Sequence, residues 1–258
     1  MSATPPPTPP PSGTLTAAAM PHRAPPMTPR RLLVATRVLA RLAITRGRVV
    51  AFVAGSVPLL IAAVAIGLED GRVTRFVEEA ALGLALPIGT LTIATAVLGD
   101  LADDATLVYL RLRPIGIVWQ ATAATLAATI AAGPPLAALS AVIAIVGGQP
   151  GLALAAAASA MLGTLAYSGV FVALGLRTNR SLLWGLLYVL VVEGFLSRLS
   201  STMSTYAIRR YVGSLYEGWG GRAALDEVSV VAALVTLVAI TAAGVALTTR
   251  WLVRRDVP

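Results

Sequence analysis

Cysteine is absent from all 258 residues, which excludes disulfides and thiolate metal sites. Lysine is absent too, so all twenty basic residues are arginine. Without lysine there can be no Gly-x-x-x-x-Gly-Lys-Ser/Thr loop, and the chain does not cradle ATP phosphates in that way. Neither a His-Glu-x-x-His pair nor a Gly-x-Ser-x-Gly elbow occurs, so the usual zinc-hydrolase and serine-hydrolase sites have no candidate residues. The single histidine, His22, sits in a Pro-rich stretch and reads as solvent-exposed. Charge is scarce as well: 12% of residues are charged against 57% apolar, and the mean hydropathy is +0.80. A soluble domain of this length could not cover its surface with so few charges. The net charge of +8 comes from arginines spread between apolar runs. That distribution fits membrane orientation better than nucleic-acid binding, and no basic–aromatic interleaving of the single-strand-binding kind is present.

What remains is apolar and long. Residues 1–28 hold nine of the seventeen prolines and are expected to stay extended, as a tail that buries no core. This tail lacks the charged start and apolar stretch of a secretory signal, so no cleavage is expected. Residues 29–48 then form a helix-permitting run. At 100° per residue Arg30, Arg37, Arg41 and Arg48 share one stripe, opposite Leu32, Ala35 and Leu39. This is the pattern of a helix lying in the membrane interface among anionic head groups, with Arg46 turned towards the apolar side. The rest of 29–258 reads as a six-span, all-α membrane domain, with spans near 49–68, 80–99, 115–146, 152–175, 181–199 and 228–249. Gly133-Pro134-Pro135 should kink or break the third, or turn part of it into a re-entrant piece. Fourteen arginines fall on one side of this topology and six on the other. The excess places both termini in the cytoplasm.

Carboxylates cluster once, at Asp100, Asp103 and Asp104. Membrane transferases that hold Mg²⁺ through spaced aspartates need a second acidic motif, and none follows. The cluster reads instead as the start of a short cytoplasmic helix between spans 2 and 3, with an ordinary solvated loop as the alternative. Its acids lie at the N-terminus, and Arg111 and Arg113 lie near the end, as the helix dipole favours. Glu193 falls inside span 5, where a carboxylate is costly and should face the bundle interior with a partner. Two roles stay open for it: lining a substrate path, or making an interhelical hydrogen bond. Thr90, Thr92, Thr95, Thr122, Thr125 and Thr129 are expected to close helix contacts.

The segment Gly99-Asp100-Leu101-Ala102-Asp103-Asp104-Ala105-Thr106-Leu107-Val108-Tyr109-Leu110-Arg111-Leu112-Arg113-Pro114 resembles the cytoplasmic loop of ABC-2 type transporter permeases. In many of these an acidic stretch leads into Thr-x-x-Tyr-Leu and an Arg-Pro pair. Leu176-Arg177-Thr178-Asn179-Arg180, Gly185-Leu186-Leu187-Tyr188-Val189 and Glu193-Gly194 resemble that family's fifth span. The resemblance covers about 30–258. Ala105 stands where glycine is usual, Gly116-Ile117 where a further arginine is common, and the Pro-rich tail is not a family feature.

The resemblance implies an N-terminal interfacial helix, six spans and a long outer loop at 200–227. It further implies half of a pore, completed by a second copy or a close paralogue in the plasma membrane. Two copies of a separate ABC ATPase would bind ATP and Mg²⁺, which this chain would not. Asp100, Asp103, Asp104, Thr106, Leu107, Tyr109, Arg111, Arg113 and Pro114 would seat on that ATPase, and the direction would be export. A non-transporting membrane scaffold, an immunity protein or a small membrane enzyme is the alternative reading.

Overall fold

The computed structural model describes residues 28–67, 73–103, 115–178, 180–196, 205, 207–221 and 228–254. Among the described residues the structure is helical, without a strand. Helix α1 (Pro29–Ala43) precedes α2 (Arg46–Gly67). A short α3 (Val73–Phe76) runs through a π-helical stretch, Val77–Ala85, into α4 (Leu86–Asp103). Then come α5 (Ile117–Val146), α6 (Ala153–Arg177) and α7 (Ser181–Leu187), the last continued by a second π-helical stretch, Tyr188–Leu196. Helices α8 (Ile208–Trp219) and α9 (Val230–Arg254) complete the order. Among the described residues five helical runs are long and apolar enough to cross a membrane: Arg46–Ile66, Thr74–Asp100, Ile117–Val146, Pro150–Arg177 and Val230–Arg254. The sixth expected span is represented by a shorter apolar helix, Ser181–Phe195, below the roughly 20 residues a 30 Å hydrocarbon core calls for.

Two expectations are corrected and a third is narrowed. The interfacial run 29–48 is not one helix: Ile44 is extended at the end of α1. Thr45 accepts a bond from the Arg48 N–H at 3.4 Å and so starts α2 as its cap. Arg30, Arg37 and Arg41 stay on the exposed side of α1, while Ala35, Leu39, Ala40 and Ala43 are buried; Arg48 belongs to α2. The Gly133-Pro134-Pro135 run does not break the third span, since α5 is continuous from Ile117 to Val146. Neighbouring helices can hold a proline-containing helix together within a membrane, and Gly133 packs directly under Met161 of α6. Finally, 200–227 is more than a loop. It contains α8, whose Ile208, Tyr211, Val212, Leu215 and Tyr216 are buried.

Helix α6 is the axis of the bundle, touching α4, α5, α8 and α9. Small residues allow that density. A Cβ on Gly169 would lie 3.1 Å from the Thr241 backbone of α9, and one on Gly175 would run into the Thr95 carbonyl of α4. Four threonine hydroxyls bond within their own helices: Thr90, Thr95, Thr122 and Thr129 each donate to the carbonyl four residues back. By contrast, α2 buries few of its residues.

The contacts also sort the charged residues by end. Arg48, Asp100 and Arg180 border one cavity, and the Arg177 guanidinium lies 5.9 Å from the Trp251 ring centre. Arg75, Glu79 and Arg209 border a second cavity. Arg75 and Asp100 sit on one unbroken helical run of 25 or so residues, roughly 37 Å at 1.5 Å per residue. The two groups therefore occupy opposite ends of the bundle.

Candidate functional site

Two polar constructions stand out, one at each end. At the Arg209 end, Glu193 lies in the π-helical stretch and is fully buried. The wider π turn brings residues i and i+5 to one face, and the Tyr188 hydroxyl accordingly donates to Glu193 Oε1 at 3.1 Å. From α6, the Tyr167 hydroxyl donates to Oε2 at 2.6 Å. The other two described donors are backbone: the Ile208 N–H to Oε1 and the Arg209 N–H to Oε2, both at 3.1 Å. These are the first amides of α8, which have no partner within their own helix, and the positive end of the helix dipole favours the carboxylate there. One side chain thus pins three elements: its own helix, the central α6 and the start of α8. Phe171 stacks on Tyr167 at 5.6 Å and meets Tyr188 edge-on at 6.2 Å, which shuts the clasp off with apolar surface.

At the other end, Arg48 donates through Nη1 to the Ala43 carbonyl and through Nη2 to Asp100 Oδ2, each at 2.8 Å. Ala43 is the last residue of α1, and its carbonyl is free of an intrahelical partner there. A single guanidinium on α2 therefore ties the end of α1 to the end of α4. Beside it a cavity of about 780 Å³ opens between α2 and α4.

Of the residues singled out from sequence, the structure joins Arg48 and Asp100 and leaves Arg30, Arg37 and Arg41 exposed on α1. It puts Glu193 at the opposite end. Asp103 ends α4; Asp104, Thr106, Leu107, Tyr109, Arg111, Arg113 and Pro114 lie outside the described residues. Sequence reasoning missed Tyr167, Tyr188 and the first amides of α8. The five-residue spacing of Tyr188 and Glu193 was a visible signal, but it pairs them only if the helix is π-wound. Among the described residues no three metal-ligating side chains gather.

Taken together, these features define an α-helical membrane protein built around a small-residue central helix. No family model and no curated protein matches the chain.

Proposed function

We propose that the chain is the membrane-spanning permease subunit of an ATP-driven transporter of the ABC-2 type, acting as an exporter in the plasma membrane. The observation that carries this reading is the Arg48 junction. Residues 104–114 follow directly on α4, whose Asp100 is bonded through Arg48 to the first span and to the end of α1. A pull on the 99–114 segment would therefore reach the interfacial helix and the first span together with the second. That is the lever a soluble motor needs.

In this reading both termini and the Arg48 end face the cytoplasm. Asp103, Asp104 and Thr106–Pro114 dock on a separate ATPase, of which two copies serve two permease chains. The paired chains alternate between inward- and outward-open states. Nucleotide and Mg²⁺ stay on the ATPase, and this chain carries no catalytic residue.

Affinity purification of the chain from its native membrane tests the proposal. A co-purifying ATPase that is lost on Asp104→Arg or Leu107→Glu supports it. A chain that inserts normally but never retains an ATPase overturns it in favour of a non-transporting membrane protein.

A further inference from the structure

We propose that the cavity between α2 and α4 is a binding site for one anionic phospholipid, with its head group at Arg180 and Arg48 and an acyl chain along α2. The inference needs only membrane insertion and stands apart from the transporter reading. Its first ground is depth. The cavity borders α2 from Gly47 to Leu59, roughly 18 Å at 1.5 Å per residue, or a little over half of a 30 Å hydrocarbon core. A groove of that reach starts at the interface and ends near the midplane, which is the depth of one leaflet.

The second ground is chemistry along that depth. The walls are apolar, with Phe52 and Leu59 facing Ile88 and Ile93. Polar groups gather at the interfacial end, where Arg48, Asp100 and Arg180 border the cavity. Asp100 neutralises Arg48. Arg180 is exposed at the mouth and has no acidic partner among the described residues, so its guanidinium is placed to receive an anionic head group.

Third, the described residues leave the space open along α2. A Cβ on Gly47 or Gly55 would meet nothing within 4 Å, and α2 buries few of its residues. In a bilayer that space must be filled, and an acyl chain fits apolar walls. A second copy of this chain is the competing occupant, and the test separates the two.

The test uses native mass spectrometry of the full chain in mild detergent, titrated with phosphatidylglycerol or with phosphatidylcholine of the same acyl chains. Phosphatidylglycerol is expected to be retained in preference. Arg180→Gln should lower its retention about fivefold, the factor one basic residue carries near an anionic surface, and leave phosphatidylcholine unchanged. Gly55→Leu should fill the groove and displace both lipids from a chain of unaltered oligomeric state. Ala51→Leu, on the same exposed face, serves if that variant does not fold. Equal retention of the two lipids, or an undiminished phosphatidylglycerol preference in Arg180→Gln, overturns the proposal. A groove-filling variant that keeps its lipid but dissociates a dimer overturns it in favour of the second copy.

Discussion

Tyr167 donates its hydroxyl to Glu193 across 2.6 Å, from one helix to another, with neither side chain touching solvent. The same carboxylate receives the first two amides of α8, so a contact between two packed helical elements also decides where an amphipathic helix begins. A buried acceptor of this kind matters most for what is orphaned when it is lost.

Glu193→Gln should therefore be tolerated less well than a simple exchange of acceptors suggests. The amide nitrogen cannot accept from a backbone N–H, so either Ile208 or Arg209 loses its bond, at a cost of about 1–3 kcal/mol. Glu193→Ala orphans both amides and both hydroxyls and should cost more, while Tyr167→Phe should cost about 1 kcal/mol. Thermal denaturation in detergent ranks the three. Equal melting of Glu193→Gln and the parent would remove the clasp from the account.

Glycines should divide by what surrounds them. Gly175→Ala drives a methyl into the Thr95 backbone and should destabilise by about 1–3 kcal/mol, as overpacking does. Gly55→Ala meets nothing within 4 Å and should gain up to about 1 kcal/mol from helix propensity. Matching melting shifts for the pair would contradict the packing described around α6.

The Arg48–Asp100 pair is partly exposed, at 24% and 54%, so its worth to global stability is about 0–1 kcal/mol. Its effect should be local. Arg48→Ala releases the Ala43 carbonyl and should speed tryptic cleavage at the exposed Arg46 while barely moving the melting temperature. An unchanged cleavage rate would mean that Arg48 does not hold the α1–α2 junction.

Because the chain has no native cysteine, single cysteines report sidedness directly. Thr45→Cys lies at the Arg48 end. Gly151→Cys lies at the other, beside Leu152, whose side chain approaches Gly220 just after α8. An impermeant maleimide should label them from opposite faces of sealed vesicles, with Thr45→Cys reached from the cytoplasmic face. Labelling from one face alone would reject the arrangement of the ends.

If the 99–114 segment is the docking element, reversing the charges at Asp103 and Asp104 together should leave membrane insertion intact and uncouple ATP hydrolysis from transport. Measured in proteoliposomes with the partner ATPase, full coupling in that double variant would strip the segment of its proposed role.

Much of this architecture was legible without coordinates. Apolar run length sets where helices can cross, so the starts and ends of α2, α6 and α9 follow the hydropathy closely. Helical periodicity put Arg30, Arg37 and Arg41 on the exposed side of α1, opposite Ala35 and Leu39. The absence of lysine and cysteine ruled out whole chemistries before any fold was known. The expectation that Glu193 needs partners came from the cost of a carboxylate in hydrocarbon.

The sequence by itself thus determined helical class, membrane residence and the separation of arginines into two groups, because each depends on local composition and spacing. Which groups meet was decided by tertiary structure. Glu193 finds Tyr167 twenty-six positions away and the amides of α8 fifteen and sixteen positions on. Arg48 leaves the stripe it shares with α1 to bridge Ala43 and Asp100. Pro134 and Pro135 stay inside an unbroken helix. None of these outcomes has a periodic signature, since each arises from neighbours that only packing supplies.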